Sequence, residues 1–322
     1  MPRTRAYRDG KIVGEDFPLD DISDYLANGD CFVWADFESP TREDLEKVGD
    51  ELDLHELAIE DALVPGQRSK IDRYDRFLFA TVYDTTFDAD SGDLTSAEVK
   101  AFITHRALVT IHGEDFDIGV VSKHWDDNKD LVSHGIPYLL WGLLDSIVDR
   151  QYVCADGLDG EIDGLEDGMF DPKPQTLDVQ RRSFALRRSL VQLRRVVTPM
   201  REVLNTLLRR DDMNTTKGMG PYYQDVYDHV LRVTEQTDSL RDLVSTILDT
   251  NLSIQGNRMN LVMKKVTSWA AIIAVPTAVT GFFGQNVPFP GYSTWPGFVV
   301  SCIVIVIASV VLYFSFKKRD WL

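Results

Sequence analysis

The sequence predicts an α+β membrane protein, in which an N-terminal cytosolic α/β domain precedes a long helical stalk that continues into the first of two C-terminal transmembrane helices. Three observations lead to this fold class. The formal net charge of −17 divides into −22 over the first 256 residues and +5 over the last 66. Two long segments of the basic tail contain no charge. Ahead of them, residues 222–275 contain no proline and a single glycine.

The N-terminal part, residues 1–135, is expected to form the cytosolic α/β domain. Short runs rich in β-branched and aromatic residues predict strands. A Pro-Thr start followed by helical periodicity predicts a helix over residues 41–52. The strand predictions cover residues 31–35, 77–83, 99–103 and 107–111. Nothing in the sequence orders these strands within a sheet.

A helical hairpin and the stalk helix are expected over residues 136–262. An acidic segment, 137–170, is followed by a basic one, 177–210, whose arginines recur at intervals of seven. The Asp-Pro-Lys-Pro stretch at 171–174 predicts the turn. We favour an antiparallel hairpin whose faces pair by charge, and a nucleic-acid or lipid surface on the basic helix is the alternative. A pI near 4.7 argues against a general nucleic-acid binder, because neutralising phosphates requires a basic surface.

The two uncharged segments predict a transmembrane domain over residues 263–322. The second segment, 295–316, has 22 residues, and about 20 apolar residues suffice to cross a bilayer. The first, 266–283, has 18 residues with several hydroxyl side chains, so alone it could be a buried helix. The short distance between the two favours a hairpin of spans. One helix over 222–284 would be roughly 95 Å long at 1.5 Å per residue, and it would need partners, which implies a bundle of subunits.

Charged residues beside the spans predict the orientation. Lys264 and Lys265 precede the first span, and a basic cluster at 317–319 follows the second. The intervening loop, 285–294, contains no charge. Because basic residues stay on the cytoplasmic side, both termini are expected in the cytoplasm of a multi-pass protein of the plasma (inner) membrane.

Small and polar residues recur along the stalk and first span at alternating spacings of three and four, which keeps them on one helix face. We call them the polar row. Bulky apolar residues such as Trp269 and Ile273 lie elsewhere on the helix. Either the row permits close helix packing, as small residues do in membranes, or it lines a water-filled pore. Its members are Asp249, Gly256, Asn260, Met263, Thr267, Ala270, Ala274, Thr277 and Gly281.

The segment Gly281-Phe282-Phe283-Gly284-Gln285-Asn286 ends the first span and resembles the CorA family of divalent-cation channels, whose signature there is Tyr-Gly-Met-Asn. Further similar segments occur in the family's order. They are Leu54–Leu63, Gln67–Lys70, Tyr138–Asp145, Pro221–His229 and the terminal Lys317–Leu322. Together with two spans at the C-terminal end, they extend the resemblance over most of the chain.

The resemblance implies a homopentamer with a funnel-shaped cytosolic part, embedded in a lipid bilayer, and a pore that conducts Mg²⁺. It assigns the selectivity loop to Phe283, Gly284, Gln285 and Asn286. It also implies gating by cytosolic Mg²⁺ at subunit interfaces, with Glu60 and Asp61 on one subunit and Asp225 on its neighbour, and Asp145 nearby. The acidic excess of the cytosolic part fits this role, since divalent ions neutralise carboxylates that otherwise repel one another.

Two departures from the signature keep the transported ion open. Gln285 stands where the family has methionine, and Phe283 where it has tyrosine. The loop 287–294 also lacks acidic residues. A zinc-transporting branch of the family varies the middle residue of the signature as well. We therefore place Mg²⁺ ahead of Zn²⁺, Co²⁺ or Ni²⁺, and the six scattered histidines agree with a preference for hard cations.

Other function classes fit less well. The sequence contains no phosphate-binding loop, no HExxH and no GxSxG, so an enzyme is not expected. Three widely separated cysteines argue against a thiolate zinc cluster. A non-conducting two-span sensor would explain the acidic domain but not the polar row. A proton-coupled exporter is disfavoured because neither span contains Asp, Glu or His.

Overall fold

The structure is a computed structural model of the 322-residue chain, and it describes residues 2–27, 29–169, 176–209, 216–285, 288 and 290–322. The chain forms two compact units, Met1–Ile247 and Leu248–Leu322. The predicted domain boundaries at 135 and 262 are not tested by this division and stay predictions. Asn286 of the predicted selectivity loop and the predicted turn at 171–174 lie outside the described residues.

A mixed seven-stranded sheet forms the centre of the first unit. Its order is β2-β1-β3-β7-β6-β5-β4, and all neighbouring pairs are antiparallel except β3 and β7, which are parallel. All four predicted strands are confirmed, as β3, β5, β6 and β7. The strands are β1 (Arg3–Arg8), β2 (Lys11–Glu15), β3 (Phe32–Glu38), β4 (Lys70–Arg73), β5 (Leu78–Asp88), β6 (Asp93–Ile103) and β7 (Ala107–His112).

Three short helices pack on one face of the sheet: α1 (Ile22–Ala27), α2 (Arg42–Leu52) and α3 (Glu56–Leu63). The predicted helix at 41–52 is α2. Thr41 is its N-cap, and a reciprocal pair of bonds with Asp44 forms a capping box. Alternation along each strand sends every second side chain to the core beneath these helices. This core contains Val33, Ala35 and Phe37 of β3, Val48 of α2 and Ile59 of α3, all buried.

Helices of 10, 34 and 34 residues pack on the opposite face: α4 (Ile118–Asp127), α5 (Ile136–Met169) and α6 (Thr176–Arg209). Trp34 of β3 meets Trp125 of α4 edge to face, with ring centroids 4.9 Å apart. Trp125 in turn donates its indole N–H to the carbonyl of Leu139 in α5, at 3.0 Å. Ser189 of α6 donates to the carbonyl of Gly92 at 2.7 Å. The predicted helical segments 137–170 and 177–210 correspond to α5 and α6.

Gly142 provides a stability test of this packing. A Cβ built at Gly142 would lie 2.4 Å from Cδ1 and Nε1 of the buried Trp125 ring. Gly142→Ala should therefore destabilise the chain by about 1–3 kcal/mol through overpacking. Gly160, in the same helix, has nothing within 4 Å of its Cβ position. Gly160→Ala should stabilise by about 0.5–1 kcal/mol because alanine has the higher helix propensity. Thermal unfolding of both full-length variants decides the matter, and equal melting temperatures would contradict the packing described.

One helix, α7 (Gly220–Phe283), runs for 64 residues and confirms the predicted stalk and first span. Its first part contributes buried side chains at alternating spacings of three and four, which we call the buried row. The hydroxyl of Tyr223 donates to the carbonyl of Pro137 in α5 at 2.9 Å, and Arg194 of α6 forms an ion pair with Asp238 at 2.7 Å. The row comprises Tyr223, Val226, Val230, Val233, Thr237, Leu240, Val244 and Ile247.

The second unit contains the remainder of α7 and the last helix, α8 (Trp295–Lys318). Thr294 caps α8 by accepting the N–H of Gly297 at 3.3 Å, and a proline opens the helix. The ring of Trp321 stacks on that of Phe316 after the helix ends. Both segments predicted to span the bilayer are therefore helical.

Candidate cation pathway and metal site

Large apolar side chains are exposed on α7 beyond the buried row and along α8. Trp269 and Ile273 are 52% and 64% exposed, and Ile307 is 57% exposed. The most apolar 18-residue windows of α7 and α8 have mean hydropathies of 1.6 and 2.7, and in each window 6% of the residues are buried. A core helix of this hydropathy would be mostly buried. Residues 266–283 therefore do not form a core helix buried within this chain, and the length and composition of both helices suit membrane spans.

The polar row keeps a consistent helical spacing within the second unit. At 3.6 residues per turn, spacings of three and four keep its members from Gly256 to Gly281 within roughly 100° of one another around α7. The members from Gly256 to Gly281 are all exposed. Ser268, one residue after Thr267, is instead fully buried. The polar row thus presents small and polar groups, while α7 is covered at the neighbouring Ser268.

Hydroxyl groups of the span are bonded to carbonyls of their own helix. Thr277 donates to the carbonyl of Ile273 at 3.0 Å, and Thr280 donates to the carbonyl of Pro276 at 2.9 Å. Ser268 donates to the carbonyl of Lys264 at 2.8 Å. Such bonds satisfy the hydroxyl hydrogens inside a bilayer. The oxygen lone pairs remain available to accept hydrogen bonds.

The C-terminal end of α7 explains the glycine of the predicted selectivity loop. The N–H of Gly284 donates to the carbonyl of Thr280 at 2.8 Å, and that of Gln285 donates to Phe282 at 3.3 Å. A Cβ at Gly284 would lie 2.9 Å from the carbonyl oxygen of Thr280, which is backbone and cannot turn away. Phe283 is half-buried, whereas Gly284 and Gln285 are exposed.

A group of metal-ligating side chains lies between α5 and α7. One atom each of Asp145, Asp149 and His229 falls within 4.8 Å of the others. Asp225 joins this group through His229, whose Nε2 lies 3.9 Å from a carboxylate oxygen of Asp225. The structure thus brings together two predicted metal ligands, Asp145 and Asp225, and adds Asp149 and His229. The carboxylate oxygens of such a group suit Mg²⁺, and the imidazole nitrogen suits softer divalent ions.

The local electrostatics of this group depend on His124 of α4, whose Nε2 lies 3.1 Å from Asp145 Oδ2. This interaction with Asp145 raises the pKa of His124 above its ordinary value, against the opposing effect of burial. Partial desolvation, followed by the neighbouring charge of Asp145, raises the pKa of Asp149. The carboxylates repel one another, and a positive charge between them relieves that repulsion.

The other predicted ligands, Glu60 and Asp61, lie near the end of α3. Glu60 is exposed. The carboxylate of Asp61 lies 3.3 Å from Nζ of Lys70, which also contacts Asp72 at 2.5 Å. Asp61 pairs with Lys70 rather than with Asp225, so a site shared by Asp61 and Asp225 would need two subunits.

The basic helix pairs by charge with several elements rather than with α5 alone. Arg182 of α6 contacts Glu161 of α5 at 2.6 Å, which supports the predicted hairpin pairing. Arg188, however, pairs with Asp93 of β6, and Arg194 pairs with Asp238 of α7.

A comparison with known protein families shows which family the chain belongs to. The model of the CorA-like Mg²⁺ transporter protein family matches residues 29–318, nine-tenths of the chain. The chain belongs to this family. It is therefore a membrane transporter of divalent cations, and the predicted resemblance to CorA is confirmed.

Individual relatives extend over nearly the whole chain. The cobalt/magnesium transport protein CorA of Thermotoga maritima is 31% identical over 315 residues, which cover 95% of this chain and 89% of the relative. The zinc transport protein ZntB of Yersinia pseudotuberculosis is 22% identical over 301 residues, covering 91% and 88%. The complete structure of the CorA magnesium transporter from Methanocaldococcus jannaschii superposes with a TM-score of 0.82 at 22% identity, covering 100% of this chain and 99% of that one. The last match confirms the fold.

Proposed function

We propose that this chain forms a homopentameric channel that admits Mg²⁺ to the cytoplasm through a pore lined by the polar row of α7. The observation that carries the proposal is the exposure of every polar-row member from Gly256 to Gly281, which share one helical spacing and offer small or polar groups. Five copies arranged around an axis can present such rows to a common channel. The alternative role of the row is close helix packing. That role needs small residues, and it would not account for the carboxylate of Asp249 or the amide of Asn260.

The chemistry of the row suits a hydrated divalent cation. Mg²⁺ gives up its first-shell waters reluctantly, and those waters donate hydrogen bonds outward. Thr277 presents an acceptor oxygen, because its hydrogen is bonded to Ile273. Asn260 adds an amide oxygen. A lining of neutral acceptors holds the ion weakly enough for it to leave again.

At the outer mouth, Asn286 is proposed to receive the hydrated ion, together with the carbonyl groups of Phe283, Gly284 and Gln285. A neutral amide oxygen accepts hydrogen bonds from the water shell without the tight binding of a carboxylate. Gly284 keeps the end of α7 unobstructed, since a side chain there would meet the carbonyl of Thr280.

On the cytosolic side, Glu60 and Asp61 of one subunit are proposed to hold Mg²⁺ together with Asp225 of the next, with Asp145 nearby. Bound cations would join subunits whose acidic surfaces otherwise repel, and so favour a closed state at high cytosolic Mg²⁺. The proximity of Asp145 and Asp225 to His229 supports one half of this assignment.

Zn²⁺, Co²⁺ and Ni²⁺ are the alternative substrates. The zinc transport relative and the nitrogen ligand His229 favour them, because imidazole binds these ions better than it binds Mg²⁺. We place Mg²⁺ first, since the polar row contains oxygen groups and a thioether at Met263 but no imidazole or thiolate.

Uptake into liposomes tests this function and the order of ions. Purified full-length protein should admit Mg²⁺ when the interior is negative, with or without a pH gradient, because neither span contains a proton-binding carboxylate or histidine. Parallel assays with Zn²⁺, Co²⁺ and Ni²⁺ rank the substrates. Zn²⁺ uptake that exceeds Mg²⁺ uptake would establish the alternative, and flux of no ion above protein-free liposomes would favour the non-conducting sensor.

A further inference from the structure

We infer that Lys70 is a built-in competitor for the metal site at Asp61 and sets the cation concentration at which that site fills. The inference rests on the proposed regulatory role of Asp61. Its basis is the ion-pair geometry around Lys70, which joins the carboxylates of Asp61 and Asp72. The ammonium group thus occupies one oxygen of the proposed ligand before any divalent ion arrives.

The backbone of Asp61 is held beside Lys70 by several hydrogen bonds to the end of α3. The ammonium group of Lys100, a side chain 5% exposed, donates to the carbonyls of Ala62 at 2.9 Å and Val64 at 2.6 Å. It also lies 3.4 Å from the carbonyl of Asp61 itself. These contacts bind the C-terminal end of α3, where carbonyl groups lack helical partners. Gln67 adds a bond from its side-chain amide to the Asp61 carbonyl at 3.0 Å.

The connection from α3 to Lys70 is fixed as well. Glu98 of β6 accepts the backbone N–H of Gly66 at 3.1 Å and that of Gln67 at 3.2 Å. Tyr83 of β5 donates to Glu98 at 3.0 Å. Lys70 itself lies in β4, which is paired with β5. Both partners of the ion pair are therefore attached to the same sheet, and their separation is set by the fold.

Lys70 also has an alternative position when a divalent cation takes Asp61. Asp72 is two residues further along β4, so it points to the same side, and its oxygen is nearer to Nζ than that of Asp61. The ammonium group can leave Asp61 without losing a counter-ion. Filling the site then costs one half-buried ion pair and the repulsion between two cations. Lys70 therefore lowers the affinity of the site for a divalent cation without preventing binding.

Replacing Lys70 by a neutral residue of similar length tests the inference. In full-length protein, Lys70→Met should lower the Mg²⁺ concentration for half-maximal protection from protease by about five- to tenfold. Lys70→Arg should leave the midpoint unchanged, since the charge is kept. Lys47→Met is the matched control, because Lys47 forms an exposed ion pair with Glu43 at 3.0 Å on α2. Mg²⁺ titration calorimetry of the same proteins provides a readout independent of protease access.

The variant Asp61→Asn distinguishes a failure of the proposed metal site from a failure of the competitor role of Lys70. If Asp61→Asn raises the midpoint but Lys70→Met leaves it unchanged, the competitor role of Lys70 is wrong and the metal site stands. If Asp61→Asn changes neither protection nor the binding heat, the proposed site itself fails. In the double variant, Lys70→Met should lose its effect, and a persisting shift would show that Lys70 acts elsewhere. Should Lys70→Met not fold, Lys70→Gln supplies the same neutralisation with a polar end.

Discussion

Replacing Asn286 by alanine should reduce Mg²⁺ uptake into liposomes to the level of protein-free vesicles while leaving the oligomer assembled. The methyl group offers no oxygen to the water shell of the incoming ion. The ion would then have to exchange part of that shell for less favourable contacts at the mouth, and Mg²⁺ resists dehydration more than most divalent ions do. Uptake should therefore fall although the variant still folds and assembles.

Two further variants serve as controls for this result. Asn257→Ala removes an exposed amide from α7 outside the polar row and should transport normally. Asn286→Asp keeps an acceptor oxygen but adds charge, so it should bind the cation more tightly and slow its release. Size-exclusion chromatography checks assembly in each case. Uptake by Asn286→Ala at the level of the unmodified protein would show that the mouth of the pore lies elsewhere.

Neutralising both halves of the proposed regulatory site should produce the second large effect. In Asp61→Asn/Asp225→Asn, the Mg²⁺ concentration that protects the protein from protease should rise by about tenfold or more, because ligand charge governs the affinity of carboxylate sites for hard cations. The same variant should conduct at cytosolic Mg²⁺ concentrations that close the unmodified channel. Limited proteolysis and liposome flux measure the two consequences separately.

The matched control for this variant is Asp228→Asn. Asp228 is exposed on α7, three residues from Asp225, and it interacts with Gln224 at 2.9 Å. Its replacement removes one negative charge, half the change in the double variant, without touching a proposed ligand. If Asp228→Asn raised the midpoint as much as the double variant, general charge repulsion rather than a defined site would explain the response to Mg²⁺.

The sequence predicted the larger elements of the fold because their signals are strong and local. Long uncharged segments, a glycine-poor stalk and alternating acidic and basic helices need no tertiary information. Strands β1, β2 and β4 escaped prediction because they are short and partly polar, so their apolar residues give no clear strand pattern. The buried row of α7 could have been recognised, since its members recur with the same spacing as the polar row.

Some residues of the candidate sites were likewise predicted from the sequence, and others were missed. Asp145 and Asp225 came from similarity to a family, whereas Asp149 and His229 were missed. Both missed residues lie four positions after a predicted ligand, a spacing that places side chains on one helix face. The ion pair of Lys70 with Asp61 gave no such signal. It depends on how a strand edge meets the end of α3, which only the folded chain determines.

The hydroxyl bonds within α7 have a consequence for the sign of the ions that pass. An anion requires hydrogen-bond donors from its surroundings, and the Thr277 hydroxyl has already given its hydrogen to Ile273. In the proposed pore, this group would present the negative end of a dipole to whatever approaches. Chloride would meet repulsion and find no donor there, while a water-clad cation would be accepted. Thr277 can thus contribute to charge discrimination without carrying any charge, and such a filter does not change with pH.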